Sequence, residues 1–305
     1  MTPSPIHADF RLGIDLGGTK TEIIALGAAG RQMLRRRVPT PDAYEAKILA
    51  IRELVGSAEQ ALGGSGSVGV GIPGVISPVS GLVKNANSLA LNGHPFDVDL
   101  AAALAREVRV ENDANCFALS EASDGAGAGH ALVFGVIIGT GCGGGVVIDG
   151  RLLTGRNRVG GEWGHMPLPW PGPDEVPGPL CWCGQHNCIE RYVSGPALAQ
   201  DCDGPEAHDA SSIPARAAAG EARAAAALER HAVRLGRGLA VIVNILDPDI
   251  IVLGGGLSNM AHLYAEVPKV MARHVFSDSI DTPIVPNRHG DSSGVRGAAW
   301  LWPAD

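Results

Sequence analysis

The chain predicts a duplicated α/β architecture: two related halves, each offering a loop to a shared cleft. Three observations carry that prediction. Residues 11–17 alternate polar and apolar, turn at Gly17-Gly18-Thr19-Lys20 and resume as an apolar strand over 21–26, which reads as a hairpin. About 120 residues later the arrangement recurs, with a strand over 133–138, a glycine-threonine turn over 139–145 and a strand over 146–148. Finally, Ile250-Ile-Val-Leu253 is apolar throughout, as a central parallel strand is, and runs directly into Gly254-Gly255-Gly256.

The remaining elements follow in order. Residues 43–62 are helical, with Ile48, Ile51, Leu54, Val55 and Ala58 on one face. A buried strand over 68–72 ends at Pro73-Gly74. A short helix over 101–107 precedes a strand over 108–110, which leads through Glu111-Asn112-Asp113 into a helix over 114–123. Residues 167–179 hold six prolines in thirteen positions and predict an irregular loop. A long helix is expected over 215–246, its stripe formed by Leu228, Ala232, Leu235, Leu239, Ile242, Val243 and Leu246, with Pro248 ending it. Ser258 and Asn259 are expected to cap one more helix.

Composition narrows the function. Hydrophobic residues make up 45% of 305 positions, enough for a sizeable core. With 24 basic and 32 acidic residues the net charge is −8, which argues against nucleic acid or an anionic membrane as partner. The uncharged stretch 131–148 is long enough to span a bilayer but is broken by Gly139, Gly141, Gly143, Gly144 and Gly145, so no membrane span is expected. Residues 1–9 are polar and proline-containing, unlike a signal peptide. The expected setting is the cytoplasm. The 42 glycines are the outlier of the composition and call for local explanations, chiefly loops approached closely by a ligand.

Several constellations carry chemistry. In Asp15-Leu-Gly17-Gly18-Thr19-Lys20 the glycines let backbone N–H groups approach an anion, Thr19 adds a hydroxyl and Lys20 a positive charge. The spacing is not that of a Walker A loop, and a plain hairpin turn would also use the glycines. Gly139-Thr140-Gly141 and Gly254-Gly255-Gly256 are second and third loops of the same kind, at strand ends where α/β sheets bind nucleotides. Asp15 has the chemistry to hold Mg²⁺ through water, or is an ordinary strand-end carboxylate. Asn112-Asp113 either presents a carboxylate to the cleft or caps the next helix. Cys181-Trp-Cys183-Gly-Gln-His-Asn-Cys188 puts three of the six cysteines within eight residues, a zinc pattern in a cytosolic chain. Spacing leaves the fourth ligand open between His186 nearby and His165 farther off.

Five motifs in register, Asp15-Leu-Gly-Gly-Thr-Lys20, Glu111-Asn-Asp-Ala-Asn-Cys116, Gly139-Thr-Gly-Cys-Gly-Gly-Gly145, Gly161-Glu-Trp-Gly-His165 and Cys181-Trp-Cys-Gly-x-x-x-Cys-Ile-Glu190, together resemble the ROK family of sugar kinases over essentially the whole chain. Further stretches at 83–88, 91–96, 243–248 and 289–303 look closest to its bacterial fructokinases. The resemblance implies the actin-like ATPase fold, with residues 1–112 and 291–305 in one α/β domain and 113–290 in the other. It implies an ATP-dependent kinase acting on the 6-hydroxyl of fructose, with other ROK kinases of mannose, glucose, glucosamine or N-acetylglucosamine as alternatives.

The resemblance also assigns roles. Asp113 becomes the catalytic base. Asn112, Glu162, His165 and Glu190 bind sugar hydroxyls, with Asn87 and the Gly74 backbone as further candidates. Gly17, Gly18, Thr19, Lys20, Gly139, Thr140 and Gly141 face the ATP phosphates, near Asp15 and Mg²⁺, and Gly254, Gly255 and Gly256 face the nucleoside. His165, Cys181, Cys183 and Cys188 become ligands of a structural zinc, and His186 a loop residue. Family members commonly carry glycine where this chain has Asn187, and the turn is expected to survive. A homodimer is implied. A sugar-sensing ROK repressor would carry a winged helix ahead of the first glycine loop, where only fourteen residues precede Asp15.

Overall fold

In the computed structural model, which describes residues 10–303, the first half begins with the expected hairpin, β1 (Arg11–Leu16) and β2 (Lys20–Leu26). The sequence reading of residues 1–9 lies outside the described residues. An edge strand absent from that reading, β3 (Gln32–Pro39), pairs with β2. Its run Arg35-Arg36-Arg37 hides it from any apolar pattern, but each of those arginines has a partner, Ser57 for Arg36. Arg35 and Arg37 both clamp the buried Glu22 on the neighbouring strand, and Asp291 bridges them on the outside.

Helix α1 (Tyr44–Leu62) leads to β4 (Ser67–Ile72), and the small ladder β5 (Val75–Ile76) with β6 (Val83–Lys84) follows. Helix α2 runs over Phe96–Leu104, five residues earlier than expected, because Phe96, Leu100 and Leu104 supply its buried face and Ala105 closes it in a left-handed conformation. Strand β7 (Val108–Asn112) completes a five-stranded sheet of order β3-β2-β1-β4-β7, antiparallel through the hairpin and parallel beyond it.

The second half repeats the plan. Strands β8 (Leu132–Ile138), β9 (Cys142–Ile148) and β10 (Arg151–Leu152) form a meander, followed by β11 (Ile250–Gly254) and β12 (Ile284–Pro286), in the order β10-β9-β8-β11-β12. The uncharged stretch 131–148 is therefore a hairpin, and no described helix is long and apolar enough to cross a membrane. The turn is only three residues long rather than seven, because β9 starts at Cys142. Its glycines are strand residues, and a β-carbon on Gly145 would stand 2.7 Å from the Ala118 β-carbon of the helix lying on the sheet.

Between the meander and β11 lie α4 (Glu190–Val193), α5 (Gly195–Asp203), α6 (Ile213–Ala218) and α7 (Ala222–Leu246). The long helix expected over 215–246 is thus two, broken where Gly220 takes φ +90°. After β11, Gly256–Asn259 form only a 3₁₀ turn, in which Ser258 hydrogen-bonds back to the Gly255 carbonyl at 2.7 Å instead of capping a helix. Helix α8 (His262–Met271) starts later.

The halves meet through two helices. Helix α3 (Asp113–Ser123) lies on the second sheet, buried from Ala114 to Glu121, and α9 (Ser293–Trp300) lies on the first sheet. They cross so closely that a β-carbon on Gly297 would stand 1.6 Å from the Cys116 carbonyl oxygen. The strand ends of both sheets, with Asp113 between them, open onto one cleft.

Candidate active site

The cleft encloses about 830 Å³. Its walls include Gly74, Asn87, Asn112, Asp113, Gly139, Thr140, Gly141, Glu162, His165 and Glu190, so the predicted sugar-side residues and the second glycine loop come together in one space. The first loop, with Asp15, Gly17, Gly18, Thr19 and Lys20, and the third, with Gly254, Gly255 and Gly256, are not among its wall residues. The third loop nevertheless abuts the second: a β-carbon on Gly139 would stand 3.9 Å from the Gly256 amide nitrogen. The first loop is a tight turn in which the Gly17 amide donates to the Lys20 carbonyl at 3.1 Å and Lys20 is exposed.

Asp113 opens α3 at the floor of the cleft. The capping reading of Asn112 holds, and Asp113 beside it puts its carboxylate in the cleft. The Asn112 amide oxygen caps α3, accepting from Ala114 N at 2.9 Å and Asn115 N at 3.3 Å, while its Nδ2 donates to the Gly74 carbonyl at 3.2 Å. The capping amide thereby ties the strand end of β4 to the start of α3. Asp113 Oδ1 also accepts from Ala114 N at 2.8 Å. Burial raises the Asp113 carboxyl to about 6, with repulsion from Glu162 adding to it and the hydrogen bonds opposing. Burial raises Asp15 further, to about 7, helped by Asp113 and Glu22. Opposed carboxylates whose protons are held into the neutral range are the raw material of acid–base chemistry.

On the far wall Trp163 is buried, and its indole N–H donates to the Gly143 carbonyl at 3.0 Å, which fixes the 3₁₀ turn Trp163–His165. Glu162 and His165 flank that anchor. Glu190, at the start of α4, accepts from Cys142 N at 3.0 Å and from the Trp182 indole N–H at 2.8 Å.

His165, Cys181, Cys183 and Cys188 bring their ligand atoms within 4.8 Å of one another. His165 Nδ1 stands 3.7 Å from Cys181 Sγ, and Cys183 Sγ 3.6 Å from Cys188 Sγ. A tetrahedral zinc with Zn–S near 2.3 Å and Zn–N near 2.0–2.1 Å spaces its ligand atoms by about 3.5–3.8 Å, so the donor set fits that ion in type, and these two pairs stand at its spacing. His186 does not join the cluster; it is exposed, with Nδ1 3.1 Å from the Gly178 carbonyl oxygen. Asn187 takes φ +70° and keeps the turn. Its carbonyl accepts from Leu168 N at 2.7 Å, and Ile189 N donates to Met166 at 2.9 Å, so the cysteine knuckle pairs with the segment just after His165.

Val75, Asn85, Val159, Trp182 and Gln185 also line the cleft and were not singled out from sequence. Asn85 carries the one local clue, a left-handed φ of +60° for which asparagine is suited. Val75 faces the cleft from β5, and Val159, Trp182 and Gln185 from loops.

A model of the ROK family matches residues 11–305. The chain is 43% identical to the N-acetyl-D-glucosamine kinase of Escherichia coli O9:H4 (strain HS) over 309 residues, covering 96% of this chain and 99% of that one. Its fold is similar to that of a ROK hexokinase from Thermus thermophilus, with TM-score 0.85, 32% identity and coverage of 95% and 96%. It is also similar to a ROK family glucokinase from Streptomyces griseus solved with glucose and AMPPNP, with TM-score 0.77, 29% identity and coverage of 96% and 98%. None of these three is named for fructose, so the subgroup part of the expectation finds no support in them. The paired sheets with their crossed helices are the actin-like ATPase fold of these relatives, and with a family match that runs from β1 to the last residue the chain belongs to the ROK family.

Proposed function

We infer that the chain is an ATP-dependent hexose kinase and that N-acetylglucosamine, rather than fructose, is its preferred acceptor. The observation that carries the kinase reading is Asp113, a carboxylate at a helix start on the cleft floor, with its pKa moved to about 6 by burial and Glu162, facing the Gly139–Gly141 loop across the same space. Phosphoryl transfer to a hydroxyl needs such a positioned carboxylate, and donors that offset charge on the transferring group. The sugar assignment rests on the 43% identity to the N-acetyl-D-glucosamine kinase, not on a pocket shape.

In this reading Asp113 takes the proton of the attacking hydroxyl as its oxygen bonds to the γ-phosphorus and the bond from that phosphorus to ADP breaks. Asn112, Glu162, His165 and Glu190 hold the other hydroxyls, with Asn87 and the Gly74 backbone at the rim. Gly17, Gly18, Thr19, Lys20, Gly139, Thr140 and Gly141 face the phosphates, Asp15 holds Mg²⁺ through water, and Gly254, Gly255 and Gly256 face the nucleoside. His165, Cys181, Cys183 and Cys188 hold a structural zinc, which supplies rigidity because four protein ligands leave no open position. Their task is to fix His165, and through the short turn Glu162, at the sugar. Residues 1–112 with 291–305 form one lobe and 113–290 the other, and the enzyme acts in the cytoplasm as a homodimer.

An ADP-release assay over N-acetylglucosamine, glucose, mannose, glucosamine and fructose tests this. The highest kcat/KM is expected with N-acetylglucosamine. A fructose optimum would overturn the sugar assignment alone, and no ADP release with any sugar would overturn the kinase reading.

A further inference from the structure

Trp182 is 67% exposed, against 2% for Trp163 and 49% for Trp170. It stands on the cysteine knuckle and lines the cleft beside Glu162, His165, Gln185 and Glu190. The indole is not loose. Its N–H donates to Glu190 Oε1 at 2.8 Å, and its ring meets His165 edge-on, with centroids 4.9 Å apart and planes at 84°. The other Glu190 oxygen is held by Cys142 N at 3.0 Å. Two donors from opposite sides thus fix this carboxylate, and one of them is an indole whose ring is left largely uncovered.

An ordered aromatic ring, uncovered inside a polar cleft and tied at its polar end, is a surface built for the apolar C–H face of a ring-shaped ligand. We propose that Trp182 is a specificity-determining residue of the acceptor site, which packs its indole against the bound hexose and holds Glu190 in place through its N–H. This rests on the hexose-kinase reading above. It also makes the sugar site sensitive to the state of the knuckle, because the residue sits between two of the cysteines proposed to hold zinc.

The test uses the full-length, metal-loaded enzyme with Trp182→Gly, which removes the ring, and Trp182→Phe, which keeps a ring and removes the N–H. Wild type is first assayed with N-acetylglucosamine and glucose; absence of turnover with both refutes the kinase reading and this proposal with it. Given turnover, Trp182→Gly is expected to raise the KM for sugar about tenfold, the scale of a lost aromatic contact plus a hydrogen bond to a charged group, with kcat within about threefold and the KM for ATP unchanged. Trp182→Phe is expected to fall between. Wild-type tryptophan emission should change on titration with sugar, and both variants should lose that change. A sugar KM unaltered in Trp182→Gly, or an emission change that persists in Trp182→Phe, overturns the proposal. Should Trp182→Gly lose its metal, the emission titration of Trp182→Phe still decides.

Discussion

Turnover should depend on pH through Asp113. The carboxyl titrates near 6 because burial disfavours its charged form and Glu162 repels it, while the Ala114 N–H pulls the other way. A base must be ionised to accept a proton. About one-eleventh of the molecules qualify at pH 5 and about ten-elevenths at pH 7, so kcat/KM should rise about tenfold between them, with an inflection near 6. Glu162→Gln removes one of the two raising contributions and should move the inflection down, although sugar KM also rises. Asp113→Asn should lower kcat by several decades. The same group gives a stability effect of opposite value to the enzyme. A carboxyl with a folded pKa near 6 against 3.8 unfolded stabilises below 3.8, and that stabilisation is lost as pH rises through 6. At pH 8 Asp113→Asn should therefore be the more stable protein, by at most about 3 kcal/mol. The assays are steady-state rates in constant-ionic-strength buffers and urea denaturation of both proteins. A flat profile from pH 5 to 7, or an inflection near 4 that Glu162→Gln does not move, would refute the reasoning.

Two further outcomes follow from packing and from the cysteine knuckle. Gly297→Ala would push a methyl group to 1.6 Å from a backbone oxygen that cannot turn aside, so it should cost about 3 kcal/mol or more, and an unfolding free energy from urea titration within about 1 kcal/mol of wild type would count against the helix crossing. Cys183→Ser should lose bound zinc by elemental analysis and raise the sugar KM; wild-type protein purified without zinc would end that assignment.

How much was legible depended on what each segment touches. Strands β8 and β11 are buried on both faces, so their apolar runs announced them. Strand β3 is an edge with solvent on one side and an ion-pair network on the other, and its arginines erased the strand pattern. Helix α9 was not among the expected elements, and its Gly297 is there because another helix occupies the space of its side chain. The glycine excess was read as ligand loops; Gly145 and Gly297 show that part of it serves contacts between helices and sheets. In the cleft, residues singled out by type and spacing, such as Asp113, Glu162 and Glu190, line one space. Trp182 was not singled out, since an exposed indole acquires meaning only when the knuckle turns it toward Glu190.

The crossing of α3 and α9 has a mechanical consequence. It leaves no room for a side chain at Gly297, and Cys116, which fills that space, lies one helical turn from Asp113. At 1.5 Å of rise per residue, the Asp113 carboxylate is rooted about 4.5 Å from that point. A relative rotation of about 10° about the crossing would carry a wall residue 20 Å away through about 3.5 Å, yet shift the root of Asp113 by under about 1 Å.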